Sequence, residues 1–274
     1  MNTNEKEVVV LVGSGQIGQA IARRVGSGRH ILLADVKQEN ADQAAKVLEN
    51  TGFHTSTLAV DISSRPSILA LIDHAKQFGV IKYLIDAAGV SPSQASIERI
   101  LKVDLYGTTV LLEEFGKVIE AGGSGIIISS QSGHRLGTLS QEETDQLAMA
   151  PTEELLDLPF LKAIKDTLKA YQYSKRCNVL RVMAEATNWG KRGATVNSIS
   201  PGIVITPLAN DELKGPRKDG YRKMLSLSPA GRAGTPDEIG DLAEFLMSHK
   251  GRFISGSDIL IDGGTTASYW SCNI

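Results

Sequence analysis

Tyr171 and Lys175 lie four residues apart in an apolar helical pattern, so we expect both side chains on one face of a helix. A phenol titrates at about pH 10, which makes it a poor proton donor or acceptor at neutral pH. Lowering that pKa to about 7 requires about 4 kcal/mol of preference for the phenolate, and a neighbouring ammonium group can contribute to it. The alternative for an isolated pair with this spacing is an exposed helix pair without a chemical role.

A glycine-rich turn follows the first apolar run of the chain. Residues 8–12 lead directly into the Gly-x-Gly-x-x-Gly pattern of residues 13–18, and a helical pattern continues from it. Glycines at these places permit a tight turn, let a pyrophosphate approach the backbone and allow close packing of helix on strand. The N–H groups at the start of the helix then face the anion. The predicted phosphate-binding residues are Gly13, Gly15, Gln16, Ile17 and Gly18.

Asp35 ends the second apolar run, 20 residues after Gly15. A carboxylate at that place accepts hydrogen bonds from the ribose hydroxyls of a dinucleotide and repels a 2′-phosphate. The pattern therefore predicts NAD as the cofactor and disfavours NADP, although Lys37 lies close enough to weaken the repulsion. The alternative is a solvated acid at the end of a strand.

The elements that must position these groups are short apolar runs that alternate with amphipathic stretches. The predicted strands are residues 8–12, 31–34, 56–60, 83–87, 125–129, 195–198 and 258–261. The predicted helices are residues 16–25, 39–49, 67–78, 97–120, 155–189 and 237–248. Near-continuous apolar strands separated by helices indicate a parallel sheet with helices on both faces. No linker interrupts the alternation, so we predict one α/β domain of the doubly wound Rossmann type over residues 1–274.

Composition and charge narrow the possible functions. The 274 residues carry 29 Lys and Arg against 31 Asp and Glu, a net charge of −2, which argues against a nucleic-acid partner. No apolar run approaches the ~20 residues that span a bilayer, and two cysteines suit a reducing compartment, so we expect a cytoplasmic protein with no membrane contact. The five histidines show no ligand spacing, and no metal site is predicted.

Several motifs, in their order along the chain, resemble those of the short-chain dehydrogenase/reductase family, and the resemblance covers nearly the whole chain. The family's Tyr-x-x-x-Lys matches residues 171–175, its Ile-Ser-Ser-x-x-Gly matches residues 128–133, and its Pro-Gly-x-x-x-Thr matches residues 201–206. Its Asn-Ala-Ala-Gly matches residues 86–89 in three positions of four, and residues 253–264 are similar to its closing strand. Within the family, the chain is similar to bacterial hydroxysteroid dehydrogenases and carbonyl reductases.

The resemblance implies transfer of a hydride between NAD(H) and a carbonyl compound or secondary alcohol. Tyr171 would exchange the hydroxyl proton, while Lys175 would hold the nicotinamide ribose and lower the pKa of Tyr171. Ser130 would hydrogen-bond the reacting oxygen, with Ser129 and Ser132 as alternatives. A seven-stranded sheet and a homodimer or homotetramer are also implied. By the same resemblance, the remaining cofactor-binding residues are Asp61, Ile62, Ala88, Gly89, Pro201, Gly202, Val204 and Thr206.

Three positions depart from the family pattern. Val12 stands before the glycine turn, where many members have a Thr-Gly start. Asp86 replaces the first Asn of the strand-four motif, and Asp104 replaces the usual Asn of the fourth helix. Asp104 either keeps a water contact or is structural. The two acids place the proton relay in doubt, but not the hydride step.

Two other functions remain open, since a fold does not fix a function. The first is a dinucleotide-binding regulator without catalytic activity, although such a protein has no reason to keep Ser130, Tyr171 and Lys175. The second, a nucleotide-sugar epimerase of the longer branch, is disfavoured because little chain follows the seventh strand.

Two segments lengthen the chain beyond the minimal pattern. Residues 131–170 form an insertion that is either a lid or oligomer contact, or a surface helix pair packed on the core. Residues 207–233 correspond to the variable substrate loop. Candidates for an apolar pocket wall in this loop are Leu208, Leu213, Tyr221, Met224 and Leu225. The acids within residues 142–157 favour a neutral apolar carbonyl substrate over an anionic one.

Overall fold

Seven parallel strands form one sheet in the computed structural model, which describes residues 6–215 and 218–272 apart from the side chains of Leu208, Glu212 and Cys272. The strands are β1 (Glu7–Val12), β2 (His30–Asp35), β3 (His54–Ala59), β4 (Val80–Asp86), β5 (Ser124–Ile128), β6 (Thr195–Pro201) and β7 (Asp258–Ile261). Their order across the sheet is β3-β2-β1-β4-β5-β6-β7. The order reverses between β1 and β4, and ligands of doubly wound sheets bind at such a reversal, outside the carboxyl ends of the strands. The predicted fold class is confirmed.

Helices connect the strands and cover both faces of the sheet. The α-helices are α1 (Gln16–Val25), α2 (Gln38–Glu49), α3 (Arg65–Ala75), α4 (Ile97–Ile100), α5 (Thr108–Gly116), α6 (Gln131–His134), α7 (Gln141–Met149), α8 (Pro159–Lys162), α9 (Thr167–Lys191), α10 (Pro207–Lys214), α11 (Lys218–Leu227), α12 (Pro236–Met247) and α13 (Thr265–Cys272). The remaining helical segments are a π-helix at Leu101–Gly107 and 3-10 turns at Thr152–Asp157 and His249–Gly251.

The strands are buried on both faces, and alternate side chains face opposite layers of helices. Val8 and Val10 pack with residues of α3, α5 and α9, whereas Val9 and Leu11 pack with residues of α1, α2 and α12. All four side chains are 0% exposed. The two apolar layers thereby fix the carboxyl ends of the strands, from which the site loops leave the sheet.

The predicted helix over residues 97–120 is interrupted. The π-helical segment Leu101–Gly107 separates α4 from α5, and α5 ends at Gly116. A π-turn inserts one extra residue per turn, so it changes which side chains face the core. Here the segment contains Asp104, which is fully buried.

The predicted helix over residues 155–189 is also divided, into a 3-10 turn, the short α8 and the long α9. Pro159 occupies the first turn of α8, where its missing N–H is not needed. The Asp166 carboxylate accepts a hydrogen bond from the Lys169 N–H at 2.8 Å and caps α9. Both residues start new helices, and the continuous helix predicted here is therefore wrong.

The insertion, residues 131–170, lies against the outer side of α9. With α9 and the π-helical segment it forms an apolar cluster, to which it contributes Leu136, Leu147, Leu155, Leu161 and Ile164. The guanidinium of Arg181, on α9, donates to the carbonyl oxygens of Leu147 and Ala150 at 2.6 and 2.7 Å. The insertion thus packs on the core, and its roles as a lid and in oligomer contacts stay predictions.

Candidate active site

Ser130 follows β5 and is the N-cap of the short helix α6. Its Oγ accepts a hydrogen bond from the Ser132 N–H at 3.1 Å, and the residue is half-buried. Ser129 is buried, and its Oγ donates to the Lys175 carbonyl oxygen at 2.7 Å. Ser132 is also buried. Of the three serines predicted from the sequence, Ser130 is therefore the most accessible.

The close contact of α6 with α9 depends on Gly133. A Cβ at this position would lie 2.9 Å from the backbone nitrogen of Arg176 and from the carbonyl carbon of Lys175. Only a residue without a side chain permits that approach. The contact brings the turn that carries Ser130 next to the helix that carries Tyr171.

Tyr171 and Lys175 lie one turn apart on α9, as their spacing predicts. Lys175 Nζ lies 5.6 Å from the centre of the Tyr171 ring and donates to the carbonyl oxygen of Ile128, at the end of β5, at 3.2 Å. Lys175 is 4% exposed, whereas Tyr171 is half-buried. The phenol is therefore accessible, and the ammonium group beside it is held by the end of β5.

Two buried carboxylates accompany the Lys175 ammonium group. Asp104 Oδ1 lies 3.4 Å from Lys175 Nζ and accepts a hydrogen bond from the Val90 N–H at 3.2 Å. Asp86, at the end of β4, accepts the Ala88 N–H through Oδ1 at 3.2 Å, while its Oδ2 has no hydrogen-bond partner among the described residues. A Cβ on Gly89 would lie 2.6 Å from Asp104 Oδ1, so Gly89 makes room for this carboxylate.

Burial and charge shift the pKa of all three groups. Loss of water raises the pKa of Asp104 and of Asp86, each to about 6, although the Lys175 ammonium opposes the rise. Burial lowers the pKa of Lys175, but Asp104, Tyr171 and Asp86 outweigh this effect, and the pKa is raised above its ordinary value. Lys175 is therefore a permanent cation at physiological pH.

The glycine turn after β1 forms an open cradle at the start of α1. Gly13 has a φ of +84°, and a Cβ there would lie 2.4 Å from the backbone nitrogen of Ala88. Gly15 is the N-cap of α1 without a side-chain hydrogen bond, and the space around its missing Cβ is empty to 4 Å. The first turn, which includes Gln16 and Ile17, has no acid. The arrangement suits a diphosphate, because the first N–H groups of the helix are not capped by a side chain.

Gly18 and Asp35 also lie at the glycine turn. A Cβ on Gly18 would lie 2.6 Å from the Leu11 side chain, so the glycine lets α1 pack closely on β1. Asp35 Oδ2 accepts the Ser14 N–H, and its Oδ1 accepts the Lys37 N–H, both at 3.1 Å. The carboxylate of Asp35 therefore lies directly beside the glycine turn.

Asp61 and Ile62 lie on the loop after β3. Asp61 Oδ1 accepts hydrogen bonds from the N–H and the hydroxyl group of Ser63 at 3.0 and 2.6 Å. Ile62 is buried, and a Cβ on Gly107 would lie 2.8 Å from its carbonyl oxygen. The loop is thus fixed against the π-helical segment, with the Asp61 carboxylate at the same edge of the sheet.

The loop after β6 contains the remaining predicted residues. Pro201 ends β6, and a Cβ on Gly202 would lie 2.6 Å from the Cα of Asp262. Val204 is buried, and Thr206 Oγ1 accepts the Ala209 N–H at 3.2 Å at the start of α10. All the sequence candidates thus lie on segments that leave the carboxyl ends of β1 to β6.

These groups fit a dinucleotide cofactor better than a metal ion. An uncapped helix start, a glycine turn with open space at Gly15 and a carboxylate beside it match a diphosphate and a ribose. Within the described part of the chain, no group of three or more His, Cys, Asp or Glu side chains is arranged to hold a metal ion.

Known proteins resemble this chain along nearly its whole length. The family model described as short chain dehydrogenase matches residues 6–140, and one described as enoyl-(acyl carrier protein) reductase matches residues 160–266. A short-chain dehydrogenase/reductase of Alternaria brassicicola, bsc3, is 35% identical over 96% of this chain and 96% of its own length. The chain belongs to the short-chain dehydrogenase/reductase family.

Two other members of the short-chain dehydrogenase/reductase family illustrate its range. D-threitol dehydrogenase of Mycolicibacterium smegmatis is 32% identical over 95% of this chain and 93% of its own length. The solved structure of a short-chain dehydrogenase/reductase from Serratia marcescens BCRC 10948 has a TM-score of 0.76, at 23% identity, over 95% of this chain and 98% of that chain. The latter likeness supports the fold.

Family membership establishes the general chemistry. Short-chain dehydrogenases/reductases are NAD(P)(H)-using oxidoreductases of small-molecule alcohols and carbonyl compounds, and they are commonly oligomeric. Over residues 6–215 and 218–272, no helix has the length and apolar character that crossing a membrane requires.

Arg135 lies beside the candidate site and is not among the residues that the sequence analysis singles out. It is the C-cap of α6, and its guanidinium lies among residues of the substrate loop and of α13. Its place five residues after Ser130 was a signal available in the sequence.

Proposed function

We propose that this protein is an NAD(H)-dependent oxidoreductase in which Tyr171 exchanges the proton of a carbonyl or secondary alcohol group. The observation that carries the proposal is the placement of an accessible phenol beside a buried ammonium group and next to the turn of Ser130. The glycine cradle lies at the same edge of the sheet. This constellation favours an enzyme over a regulator that only binds a dinucleotide.

Each residue has a distinct role in the proposed reaction. NAD(H), held at the glycine turn, would supply or accept the hydride. Tyr171 gives its proton to the carbonyl oxygen during reduction and removes it during oxidation. The Lys175 cation is proposed to stabilise the phenolate and to hold the nicotinamide ribose, and the Ser130 hydroxyl is proposed to donate a hydrogen bond to the reacting oxygen.

Asp35 supports NAD over NADP. Its carboxylate lies at the end of β2 beside the glycine turn, where a ribose diol can donate hydrogen bonds to it. A 2′-phosphate at that place would meet a negative charge at short range. Asp61 and Ile62 are proposed to hold the adenine, with Ala88 and Gly89 along the dinucleotide. Pro201, Gly202, Val204 and Thr206 are proposed at the carboxamide.

The proposed setting is a cytoplasmic homodimer or homotetramer. The described cysteine, Cys177, is free and buried, which fits a reducing compartment. Oligomers are common in the family, and sedimentation of the purified protein measures the state directly.

Replacement of Tyr171 by Phe tests the proposed role of the phenol. We expect kcat for reduction of a ketone panel by NADH to fall at least about 100-fold, because the proton donor is lost. Tyr173→Phe, a buried tyrosine of the same helix, is the matched control and should keep its activity. Equal rates for wild type and Tyr171→Phe would remove Tyr171 from the mechanism. Binding of NADH without turnover of any alcohol or ketone would instead favour the regulator.

A further inference from the structure

The Arg135 guanidinium lies between three elements at the carboxyl edge of the sheet. Nη2 donates to Ser132 Oγ at 3.3 Å, Nη1 lies 2.7 Å from the Met224 sulfur on α11, and the Tyr269 ring on α13 lies 5.8 Å away. None of these partners carries a negative charge. A thioether is also a weak acceptor, so the cation is poorly compensated.

No anion of the described residues pairs with this cation. Its Nε is buried without a hydrogen-bond partner, and no carboxylate of the described side chains forms an ion pair with it. Asp262 acts on it electrostatically, but the Asp262 carboxylate already accepts the N–H groups of Gly264 and Thr266 at 2.9 and 2.6 Å. Burial lowers the pKa of Arg135, the direction expected of a cation that has lost water without gaining an anion.

Other enclosed arginines of this chain are satisfied. Arg65 contacts the carboxylates of three glutamates, and Arg181 donates to two carbonyl oxygens of the insertion. A partly buried guanidinium without such partners is costly in a folded protein. The exception at Arg135 therefore calls for a ligand that the described residues do not supply.

The position of Arg135 places that ligand in the substrate pocket. The guanidinium is close enough to Tyr171 and to Tyr221 of α11 for electrostatic interaction with both. It also donates to Ser132, two residues after Ser130. A group bound to Arg135 thus lies on the substrate side of the proposed proton donor, against Met224 and the two tyrosines of α11 and α13.

We propose that Arg135 binds a carboxylate of the substrate, and that the enzyme acts on hydroxy acids or oxo acids whose carboxylate is remote from the reacting carbon. This inference rests on the proposed function. The planar guanidinium fork suits a carboxylate, which can accept from its two terminal nitrogens together. One cation matches a monoanion, whereas a phosphate dianion would leave a buried charge uncompensated.

The acidic residues within residues 142–157, which favoured a neutral substrate in the sequence analysis, do not oppose carboxylate binding by Arg135. Glu153 pairs with Arg65 and accepts the Tyr106 hydroxyl, Asp157 pairs with Lys162, and Glu143 completes a capping box with Ser140. Glu142, Asp145 and Glu154 are exposed. These side chains are engaged or solvated on the insertion, so their charge is not directed at Arg135.

Calorimetric titration in the presence of NAD⁺ tests the inference with two unreactive probes, cyclohexanecarboxylate and the neutral cyclohexanecarboxamide. Wild type should bind the carboxylate at least about tenfold tighter than the carboxamide. Arg135→Met should lose about 10- to 100-fold in carboxylate affinity and keep its carboxamide affinity. Arg135→Lys keeps the positive charge but not the planar guanidinium group. Its carboxylate affinity should lie between those of wild type and Arg135→Met. Arg252→Met, an exposed arginine beside Gly122 at the amino end of β5, should match wild type.

Two binding results would overturn the inference: equal affinity of wild type for both probes, or equal carboxylate affinity of wild type and both Arg135 variants. Thermal unfolding of each variant verifies that it is folded. Turnover is measured separately. Reduction of neutral ketones without a preference for carboxylates would uphold the proposed function and refute the role of Arg135. Arg135-dependent carboxylate binding without turnover of any oxo acid or hydroxy acid would uphold carboxylate binding by Arg135 and refute the proposed function.

Discussion

At the scale of single residues, Lys175 shares its buried site with two carboxylates at positions where the family pattern has asparagines. Above about pH 6 both Asp86 and Asp104 are ionised, so two negative charges face one positive charge inside the fold. Asp104 has an ion pair and a backbone N–H to support its charge. Asp86 accepts the Ala88 N–H at one oxygen, while its other oxygen has no hydrogen-bond partner among the described residues. The two carboxylates together carry one negative charge more than the Lys175 cation balances, so ionisation of Asp86 should weaken the fold at high pH.

Asp86→Asn is expected to change how the free energy of unfolding depends on pH. The pKa of Asp86 is about 6 in the fold against 3.8 ordinarily, so the folded state binds more protons between these values. Stability is then lost as the pH rises through that window. The free energy of unfolding of the variant minus that of wild type should be about 2 kcal/mol larger at pH 8 than at pH 4.5. Urea unfolding at both pH values measures this difference, with the exposed Asp73→Asn as control.

A variant whose advantage over wild type is the same at both pH values would show that Asp86 carries no excess charge in the fold. The sequence revealed both acids as departures from the family pattern. It did not show that they share a cation, because the three residues come from β4, the π-helical segment and α9. Only tertiary packing brings these elements together.

At the scale of elements, the strands and the long helices followed from apolar periodicity, while the interruptions did not. The π-helical segment Leu101–Gly107 has the composition of an ordinary helix, so nothing local distinguishes it. The break before α9 was visible in principle as Pro159 and the capping Asp166. By its apolar periodicity, the run around them predicts a continuous helix. In the structure it packs on α9 as a separate layer.

Gly133→Ala is expected to separate α6 from α9. The new Cβ would meet backbone atoms of Lys175 and Arg176 at 2.9 Å, and backbone cannot rotate away as a side chain can. We expect a loss of about 1–3 kcal/mol in the free energy of unfolding, because the contact is overpacked. Ser130 is the N-cap of α6, so its hydroxyl should move when α6 moves. We therefore expect kcat to fall at least about tenfold as well.

Gly190→Ala is the matched control for this substitution. It lies in α9 with open space around its missing Cβ, so it should keep full activity and equal or greater stability. Chemical unfolding and steady-state kinetics of both variants measure the two effects. A fully active and stable Gly133→Ala protein would show that the position of Ser130 does not depend on this contact.

At the scale of the whole molecule, the strand order gathers residues that are far apart in sequence. The reversal between β1 and β4 opens the carboxyl edge, with the glycine turn and Asp35 on the side of β1 and β2. Ser130, Tyr171 and Lys175 lie on the side of β4, β5 and β6. Motif order along the chain was sufficient to predict this division. Met224 is among the pocket-wall candidates predicted from the sequence, but its contact with Arg135 and the approach of Tyr269 were not predictable, because α11 and α13 are placed by contacts of the folded chain.

Cofactor binding should stabilise the entire fold, since a ligand that binds only the native state adds to the free energy of unfolding. At 100 times its dissociation constant, NADH should add about 2.7 kcal/mol and raise Tm, whereas NADPH at the same concentration should raise it less. Asp35→Asn should narrow the difference between the Tm increases with NADH and NADPH, because it removes the carboxylate that repels the 2′-phosphate. Asp42→Asn, at an exposed acid of α2 that accepts a hydrogen bond from Thr57 of β3, should leave the difference in Tm increase between NADH and NADPH unchanged. Scanning calorimetry measures the three proteins with each of the two cofactors, and an equal Tm increase of wild type with NADH and NADPH would refute cofactor selection by Asp35.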